Sequence, residues 1–377
     1  MRRKILVFLD NFDTGGVTSV VRNIYRNIDQ TRFEMDFARR NSNLGDFDAE
    51  VTKKGNTVYY YSDCGLSKIP VWNYKRRQLY IAKQVISQVR REKKYYDVIH
   101  VHANPIIGLY IGMRLNIPIR IMHVHEAVPD FGDNIAKSRI MAYLWKYRKR
   151  KYNEWATIKA GDSLKACCVK YGNDVVNDKK MKVLYPPVDM LRFNPEQYSS
   201  EDVVEYGVDQ QVFNMIHVGR LCAAKNQLFI LDILKEMNQR CPAYLYLVGE
   251  GPLLESIRNY AKELDVLDRV IFLPGNTTPG LYKLMNCSLL PSLSEAFGMV
   301  AVESQLMGVP CFASTNVPED VDVGMCSFLP LEDGTSKWVD AILGYDYDTC
   351  DINSEKLKKF RSEELINSIS ELYEKKA

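Results

Sequence analysis

Short apolar runs alternate with amphipathic segments along most of the chain, and this alternation predicts its secondary structure. In the first half the apolar runs are four to six residues long, and helical patterns separate several of them. Strands and helices joined by short loops predict a parallel sheet covered by helices on both faces. The predicted strands are 5–9, 33–37, 57–61, 98–101 and 117–122, and the predicted helices begin after Gly15-Gly16 and span about 78–92 and 106–114.

The pattern restarts after Pro186-Pro187 and an acidic, polar stretch at 199–209, which we interpret as a linker. We therefore expect two doubly wound α/β domains, 1–198 and 199–355, and a C-terminal segment, 356–377, that packs back on the first domain. Ligands are expected at the carboxyl ends of the strands. In the second half we predict strands at 214–218, 244–248, 270–273, 287–290 and 310–313, and helices at about 227–237, 253–264, 279–285, 298–307 and 362–375.

The composition is that of a soluble globular protein, with 377 residues, 46% of them apolar and 26% charged. The basic start carries an apolar run of only five residues, so neither a signal peptide nor a membrane-spanning helix is predicted. Nine cysteines at irregular spacings, without a Cys-x-x-Cys motif, indicate reduced thiols. These features favour a cytoplasmic enzyme or binding protein.

The charge is distributed unevenly. Residues 1–188 hold 34 of the 50 Lys and Arg but 18 of the 47 Asp and Glu, so the first half is basic and the second acidic. Cations are densest in 137–151, interleaved with apolar residues, and in 75–94. Such segments can lie on an anionic bilayer, or they can be solvated helices whose apolar residues face the core. No recognition motif accompanies the charge, so nucleic acid is not expected as a partner.

The segment 294–310, S-E-A-F-G-M-V-A-V-E-S-Q-L-M-G-V-P, carries two carboxylates, Glu295 and Glu303, around a glycine at the predicted start of a helix. Backbone amides at such a start bind anions. Carboxylates beside an anion site must bind hydroxyl groups or a cation, because two anions repel. A phosphate joined to a polyol, as in a sugar nucleotide, fits this pattern. The candidate amides are those of Phe297, Gly298 and Met299.

A second loop, 219–225, follows a predicted strand and precedes a helix. Its Arg220 and Lys225 suit a diphosphate, because arginine forms a bidentate fork and lysine supplies a point charge.

Three motifs together resemble the retaining glycosyltransferase family 4, the glycosyl transferases group 1, of the capsular and exopolysaccharide type. They are G-R-L-x-x-x-K from Gly219, the L-V-G-E-G-P turn with Gly249, and P-S-x-S-E-A-F-G-M-V-x-V-E-S-x-x-x-G-V-P around Glu295. The resemblance covers most of 210–320 and is weaker in the first half. It implies the GT-B fold, in which two Rossmann-like domains face each other across a cleft.

The resemblance implies that Arg220 and Lys225 hold the donor diphosphate, that Glu295 and the amides after it hold the transferred sugar, and that Glu303 holds the ribose. The chain departs from the family at Ala296 and Asn226, where glycine is common; both changes are mild unless alanine needs a positive φ. The loop of Gly15 and Gly16 is expected to face the donor phosphate and the acceptor. The full set of expected donor-binding residues is Gly15, Gly16, Gly219, Arg220, Lys225, Gly249, Glu295, Phe297, Gly298, Met299, Val300 and Glu303.

The implied reaction moves a hexosyl group from a UDP-sugar to a glycan or lipid-linked glycan, with retention and without a metal cofactor. Arg220, Lys225 and the helix amides would neutralise the departing diphosphate. The enzyme would work in the cytoplasm or on the inner face of the membrane. The alternative is a non-catalytic glycosyltransferase-like subunit that binds a nucleotide or a partner.

Four of the five histidines form two His-x-His pairs after predicted strands, and alternate residues of a strand share a face. The resemblance places a sugar-contacting histidine after the strand that ends near His125, so His125, followed by Glu126, is the expected contact, with His123 second. A metal site at these pairs stays an alternative, while the histidines at 100 and 102 are expected at the rim or in the structural core. We expect His217 to be a satisfied core residue and the three Asp-x-Asp pairs, which start at Asp46, Asp320 and Asp346, to have no metal role.

Overall fold

The computed structural model describes residues 2–10, 12, 15–40, 45–62, 74–125, 139–199, 208–275, 277, 279–349 and 351–375. The chain divides into two compact units, residues 1–187 with 362–377, and residues 188–361. Each unit has its own parallel sheet, which confirms the predicted pair of Rossmann-like α/β domains. Residues 188–198, assigned to the first domain from the sequence, group with the second unit.

The sheet of unit 1 has seven parallel strands in the order β3-β2-β1-β4-β5-β6-β7. β4 and the last four residues of β1 are buried and mostly Val, Ile, Leu and Phe, as expected for strands covered on both faces. The chain order reverses direction between β1 and β4, the position at which doubly wound sheets bind ligands. The strands are β1 (Arg3–Phe8), β2 (Phe33–Arg40), β3 (Val58–Tyr61), β4 (Val98–Val101), β5 (Ile119–Val124), β6 (Ile158–Gly161) and β7 (Met181–Val183).

Helices cover the sheet of unit 1, and one of them comes from the far end of the chain. This helix, Ser362–Glu374, packs against Gly16–Asn27 and buries Leu365, Ile369 and Leu372 in the core that the first strands form. The last helix is therefore a structural part of the first unit. In chain order the helices of unit 1 are α1 (Gly16–Asn27), α2 (Asp46–Lys53), α3 (Tyr74–Arg91), α4 (Pro105–Arg114), α5 (Arg139–Trp155), α6 (Leu164–Tyr171) and, from the C-terminus, α12 (Ser362–Glu374).

The sheet of unit 2 has six parallel strands in the order β10-β9-β8-β11-β12-β13, with its reversal between β8 and β11. The strands are β8 (Phe213–Val218), β9 (Ala243–Val248), β10 (Val270–Leu273), β11 (Cys287–Leu290), β12 (Cys311–Ser314) and β13 (Cys326–Leu329). The helices are α7 (Gln227–Arg240), α8 (Leu254–Glu263), α9 (Met299–Leu306), α10 (Gly334–Leu343) and α11 (Ser354–Lys358).

Three strands were not predicted from the sequence: β6, β7 and β13. They are three or four residues long and carry lysine, glycine, serine or cysteine among their apolar positions, so they lack a clear apolar run. None of the helices described here is long and apolar enough to cross a membrane. The seven cysteines that lie within the described ranges are free thiols.

Candidate functional site

Two loops at the carboxyl edge of the unit 2 sheet pack against each other at backbone distance. Gly249 follows β9 with a φ of +142°, and a Cβ atom added to it would lie 2.1 Å from the carbonyl oxygen of Gly219, which follows β8. A Cβ atom on Gly251 would lie 2.2 Å from the carbonyl oxygen of Leu221. Only glycine fits at 249 and 251, so the G-E-G-P turn fixes the path of the neighbouring G-R-L loop.

The loop after β8 also carries Lys225, which lies beside Glu295. The ammonium of Lys225 forms an ion pair with Oε1 of Glu295, and Ser292 Oγ donates to the same oxygen at 2.9 Å. The amide of Leu293 donates to the carbonyl of Ala224 at 2.8 Å, which joins the loop after β8 to the loop after β11. The structure thus brings together two residues, 70 positions apart, that the sequence interpretation placed in one site.

A buried polar chain holds the backbone of Arg220 in place. The side chain of His217 is fully buried, with Nδ1 donating to the carbonyl of Leu289 at 2.8 Å and Nε2 accepting from Gln227 at 3.2 Å. Gln227 Nε2 also lies 3.0 Å from the carbonyl oxygen of Arg220. The prediction that His217 is a satisfied core residue is confirmed. The Arg220 residue itself is exposed, with no side-chain partner in the described parts of the chain, so its guanidinium is available for an anion.

The helix α9 begins at this edge. Gly298 caps it in the left-handed conformation, φ +103°, which favours glycine. The amides of Met299 and Val300 belong to the first helical turn, where no intrahelical acceptor exists, so they are donors for an anion. Phe297 is buried against Phe360, and this contact anchors the turn.

Glu303, one turn into α9, lies in an apolar setting. Burial raises the pKa of its carboxyl to about 7, although Arg192 and Lys225 act in the opposite direction. Close to it, the hydroxyl of Tyr282 is buried without a hydrogen-bond partner. Two neighbouring polar groups without side-chain hydrogen bonds among the described residues suit a polyol, whose hydroxyl groups can both donate and accept.

In unit 1 the two His-x-His pairs lie on one face of the sheet. The register pairs His100 with Ile121 and His123 with Ala160. His102 and His125, two residues further along, directly follow β4 and β5 at the carboxyl edge. Asp162 directly follows β6 in the same row. Sequence reasoning missed Asp162, because β6 itself was not predicted.

The five side chains and Tyr373 of α12 form one hydrogen-bonded chain. The Tyr373 hydroxyl meets His100 Nδ1 at 2.8 Å, and His100 Nε2 meets His123 Nδ1 at 3.3 Å. Asp162 receives His123 Nε2 at 3.1 Å and His125 Nδ1 at 2.9 Å. Finally, His125 Nε2 meets His102 Nδ1 at 2.8 Å. Both ring nitrogens of His125, the expected sugar contact, therefore have protein partners.

Burial and neighbouring groups shift the pKa values within the cluster. Burial lowers the pKa of His100 and His102 well below the usual value and that of His123 to about 4. Burial alone would raise the pKa of Asp162, but His125 and His123 beside it lower the pKa to about 2. Near neutral pH, Asp162 is therefore a carboxylate, and His100, His102 and His123 are neutral.

The same cluster has a spacing that a metal ion could use. The triads His100–His102–His123 and His123–His125–Asp162 each bring one ligand atom per residue within 4.8 Å of the others. Within the described residues, hydrogen bonds already engage seven of the eight ring nitrogens. The internal network accounts for the arrangement without an ion, and the metal-free site stays a prediction.

The remaining predicted residues have open or structural settings. Cβ atoms on Gly15 and Gly16 would meet no atom within 4 Å, so the space beside this turn is open to a ligand. Glu126 lies outside the described residues. In the basic run 137–151, the described side chains begin at residue 145. In the Asp-x-Asp pairs, these contacts are structural: Asp48 pairs with buried Arg39, Asp322 pairs with Lys356, and Asp346 accepts from the amide of Asp348.

The loops of the unit 2 site lie in a part of the chain that resembles a known protein family. Residues 200–321 match the model of the family described as glycosyl transferases group 1. This part of the chain is a glycosyl transferases group 1 domain. The match includes the loops with Gly219, Lys225, Gly249 and Glu295 and the helix with Glu303.

Similarity to curated proteins extends beyond this domain. A putative glycosyltransferase EpsF of Bacillus subtilis is 26% identical over 90% of this chain and 87% of its own. The UDP-Gal:alpha-D-GlcNAc-diphosphoundecaprenol alpha-1,3-galactosyltransferase of Escherichia coli is 27% identical over 59% of each chain. The structure of Anabaena HepE in complex with UDP and glucose matches with a TM-score of 0.71 and 19% identity, over 98% of this chain and 99% of HepE. At that identity the structural match concerns the fold, which is GT-B.

Proposed function

We propose that the protein is a retaining glycosyltransferase that moves a hexosyl group from a UDP-sugar to a glycan or lipid-linked glycan acceptor in cell-surface polysaccharide synthesis. The observation that carries the proposal is the Lys225–Glu295 ion pair at the carboxyl edge of the unit 2 sheet, inside the glycosyl transferases group 1 domain. It places a cation for a diphosphate directly beside a carboxylate for hydroxyl groups.

The diphosphate would be held by Arg220, Lys225 and the amides of Met299 and Val300. A charge-assisted hydrogen bond is worth about 1.5–3 kcal/mol, and a donor aimed at charge that develops in the transition state is worth about 2.7–4 kcal/mol. These groups would therefore stabilise the departing nucleoside diphosphate more than the intact donor.

The hydroxyl groups of the donor would be held by two carboxyl groups, that of Glu295, which is ion-paired, and that of Glu303, which forms no ion pair in the described parts of the chain. Glu295 is ion-paired and accepts from Ser292, so it can accept further hydrogen bonds from sugar hydroxyls. Glu303 has no side-chain hydrogen bond among the described residues, and a ribose diol would give it two donors. The unpartnered hydroxyl of Tyr282 nearby would gain a partner in the same step.

Retention and metal independence belong to this proposal. With two cationic side chains and two amides at the diphosphate, leaving-group charge can be offset without a divalent ion. The acceptor hydroxyl would attack on the face that the diphosphate leaves. Following the anomeric configuration of the product by proton NMR tests retention, since an inverted product contradicts it. Loss of turnover in EDTA, restored by Mg²⁺, would contradict metal independence.

The acceptor is proposed to be lipid-linked, at the inner face of the membrane. The support is the lipid-diphosphate acceptor named for the Escherichia coli relative and the cations of α5, such as Lys146, Arg148 and Lys149. Flotation with vesicles of anionic phospholipid should show binding that weakens between low and high salt. Binding that is absent, or unaffected by salt, would contradict the electrostatic contact.

The enzymatic proposal is tested by release of nucleoside diphosphate from UDP-glucose, UDP-galactose, UDP-N-acetylglucosamine and GDP-mannose, with N-acetylglucosaminyl diphospholipid as acceptor. Glu295→Gln should reduce turnover about a hundredfold, whereas Glu319→Gln, a change at an exposed glutamate of the same unit, should leave it unchanged. Tight UDP binding with no release from any donor would favour a non-catalytic nucleotide-binding subunit.

A further inference from the structure

We infer that His102, rather than His125, offers the free ring nitrogen of the histidine cluster, and that this nitrogen accepts a hydrogen bond from a substrate hydroxyl. Asp162 is the positioning residue that fixes His102 in this state, acting through His125. The inference deepens the proposed function and rests on it for the identity of the substrate, but the state of His102 is a property of the protein alone.

Counting the hydrogens in the network begins at Asp162. As a carboxylate it can only accept, so His123 Nε2 and His125 Nδ1 must both carry hydrogen. A neutral imidazole carries one hydrogen, which leaves His123 Nδ1 as an acceptor. His100 Nε2 therefore donates to it, His100 Nδ1 becomes an acceptor, and the Tyr373 hydroxyl donates there. Every hydrogen on this arm has an acceptor.

On the other arm the same hydrogen count leaves the last ring nitrogen without a partner. In the proposed arrangement His125 is neutral, so the hydrogen on Nδ1 leaves Nε2 as an acceptor, and His102 Nδ1 donates to it. His102 Nε2 is then left with a lone pair and no hydrogen. Among the residues that the structure describes, this nitrogen has no partner, although His102 is only 6% exposed. The nitrogen itself is not fully buried, so a ligand or a water can donate to it.

The chemistry of this nitrogen determines what it can bind. A lone pair on a neutral imidazole accepts from a hydroxyl or an N–H group but repels the oxygens of a phosphate. His102 directly follows β4, and its amide donates to the carbonyl of Phe8 at 2.9 Å, so the ring is held at the carboxyl edge of the sheet. His125, with both nitrogens engaged, instead relays the effect of Asp162 to His102.

Replacing Asp162 by asparagine should move the hydrogen of the His102 ring from Nδ1 to Nε2. The amide nitrogen of asparagine is a donor and must face one of the two arms. Facing His123, it would reverse that arm, so that His100 Nδ1 donates to the Tyr373 hydroxyl and the hydroxyl hydrogen loses its acceptor. Facing His125, it makes His125 Nδ1 an acceptor and Nε2 a donor, so His102 Nδ1 accepts and the hydrogen moves to His102 Nε2. The second arrangement is favoured because its unmatched hydrogen lies on His102 Nε2, where a ligand or a water can accept it, whereas the first leaves the hydrogen of buried Tyr373 unmatched.

The first experiment reads the tautomers directly, by two-bond nitrogen–proton NMR on the full chain labelled with ¹⁵N-histidine. The expected result is an unprotonated Nε2 on His102 in the native protein and a protonated Nε2 in Asp162→Asn, with Asp174→Asn, an exposed site in the same unit, unchanged. His102→Gln identifies the His102 signals. A hydrogen on His102 Nε2 in the native protein, or no change in Asp162→Asn, overturns the inference.

The second experiment identifies the hydroxyl by adding UDP, UDP-glucose and N-acetylglucosaminyl diphospholipid in turn. A shift of His102 Nε2 with UDP-glucose but not with UDP assigns the hydroxyl to the donor sugar, and a shift only with the lipid assigns it to the acceptor. His102→Leu should then raise the KM for that substrate about tenfold, with less effect in His102→Gln, which keeps an acceptor oxygen. Binding of both substrates with no shift at His102 overturns the inference. Failure of the protein to bind any nucleotide overturns the proposed function and leaves the tautomer result standing.

Discussion

Replacing Lys225 by methionine should separate the structural and the chemical roles of this side chain. Methionine keeps the apolar stem that lies over Gly219 but removes the ammonium that pairs with Glu295. The two side chains are 19% and 12% exposed, so they resemble a buried pair more than a surface pair. Breaking one partner of a buried pair costs about 3–5 kcal/mol. Because Ser292 still donates to Glu295 and both side chains are partly exposed, we expect a smaller loss than this, about 2–3 kcal/mol of unfolding free energy.

The effect on turnover should be of similar size but of different origin. Removing one donor to developing negative charge reduces kcat by about 10²–10³. The double variant Lys225→Met with Glu295→Gln distinguishes the two. Removing both partners leaves no uncompensated charge, so its stability should return to within about 1 kcal/mol of the native protein. Its kcat should stay low, because the diphosphate still lacks its cation.

The assay is urea denaturation followed by circular dichroism, together with single-turnover release of nucleoside diphosphate from the donor that gives the fastest native rate. Lys235→Met, at an exposed position of α7, is the matched control and should change neither quantity. Recovery of kcat together with stability in the double variant would refute the reasoning, because Lys225 would then act only as a partner for Glu295. A single variant of native stability would refute the ion pair.

Three further predictions concern the fold and the pocket. Gly249→Ala should destabilise the protein by more than 2 kcal/mol, because its Cβ would lie 2.1 Å from the Gly219 carbonyl, whereas Gly308→Ala, at φ +79° in open space, should cost about 1 kcal/mol. Ile369→Ala in α12 should cost about 2–5 kcal/mol in urea denaturation, with exposed Glu363→Ala as the neutral control. The pKa of Glu303 is raised from 4.5 to about 7, so the folded state loses stability as pH rises between those values. Glu303→Gln removes this loss, and its free energy of unfolding above pH 7 should exceed that of the native protein by about 3 kcal/mol at most. The native melting temperature should therefore fall across this pH window more steeply than that of the variant.

The unit 2 site could be predicted from the sequence because each part is local. Lys225 and Glu295 each lie on a loop that directly follows a clear apolar strand, and β8 and β11 are neighbours in the sheet. The carboxyl ends of parallel neighbours meet, so placing each loop after its strand was enough to bring the two side chains together. Gly219 and Gly249 were placed in turns after strands, and Gly298 at the start of a helix, by the same local reasoning; at Gly249 the structure adds a backbone contact that excludes a Cβ atom.

The histidine cluster could be predicted only in part. Alternation along a strand places His100 with His102 and His123 with His125, but it gives neither the register between β4 and β5 nor the partners beyond them. Asp162 ends a strand of sequence I-K-A-G, which has too few apolar residues to be recognised, and Tyr373 arrives from a helix that is distant in sequence. Both depend on tertiary packing. Without Asp162 the direction of the hydrogen bonds is undetermined, and His125 is the natural but incomplete choice for the ligand contact.

The two units therefore differ in the groups that they offer to a sugar nucleotide. Unit 2 offers cations and amides, Arg220 and Lys225 with the start of α9, which suit phosphate oxygens. The cluster of unit 1 holds one carboxylate, and burial lowers the pKa of His123 to about 4 and those of His100 and His102 well below the usual value. An open lone pair on a neutral ring near a carboxylate attracts the hydrogen of a hydroxyl and disfavours a phosphate. A cationic histidine at position 102 would bind phosphate as readily as a hydroxyl group, so the neutrality that burial imposes on His102 would give this position its chemical selectivity.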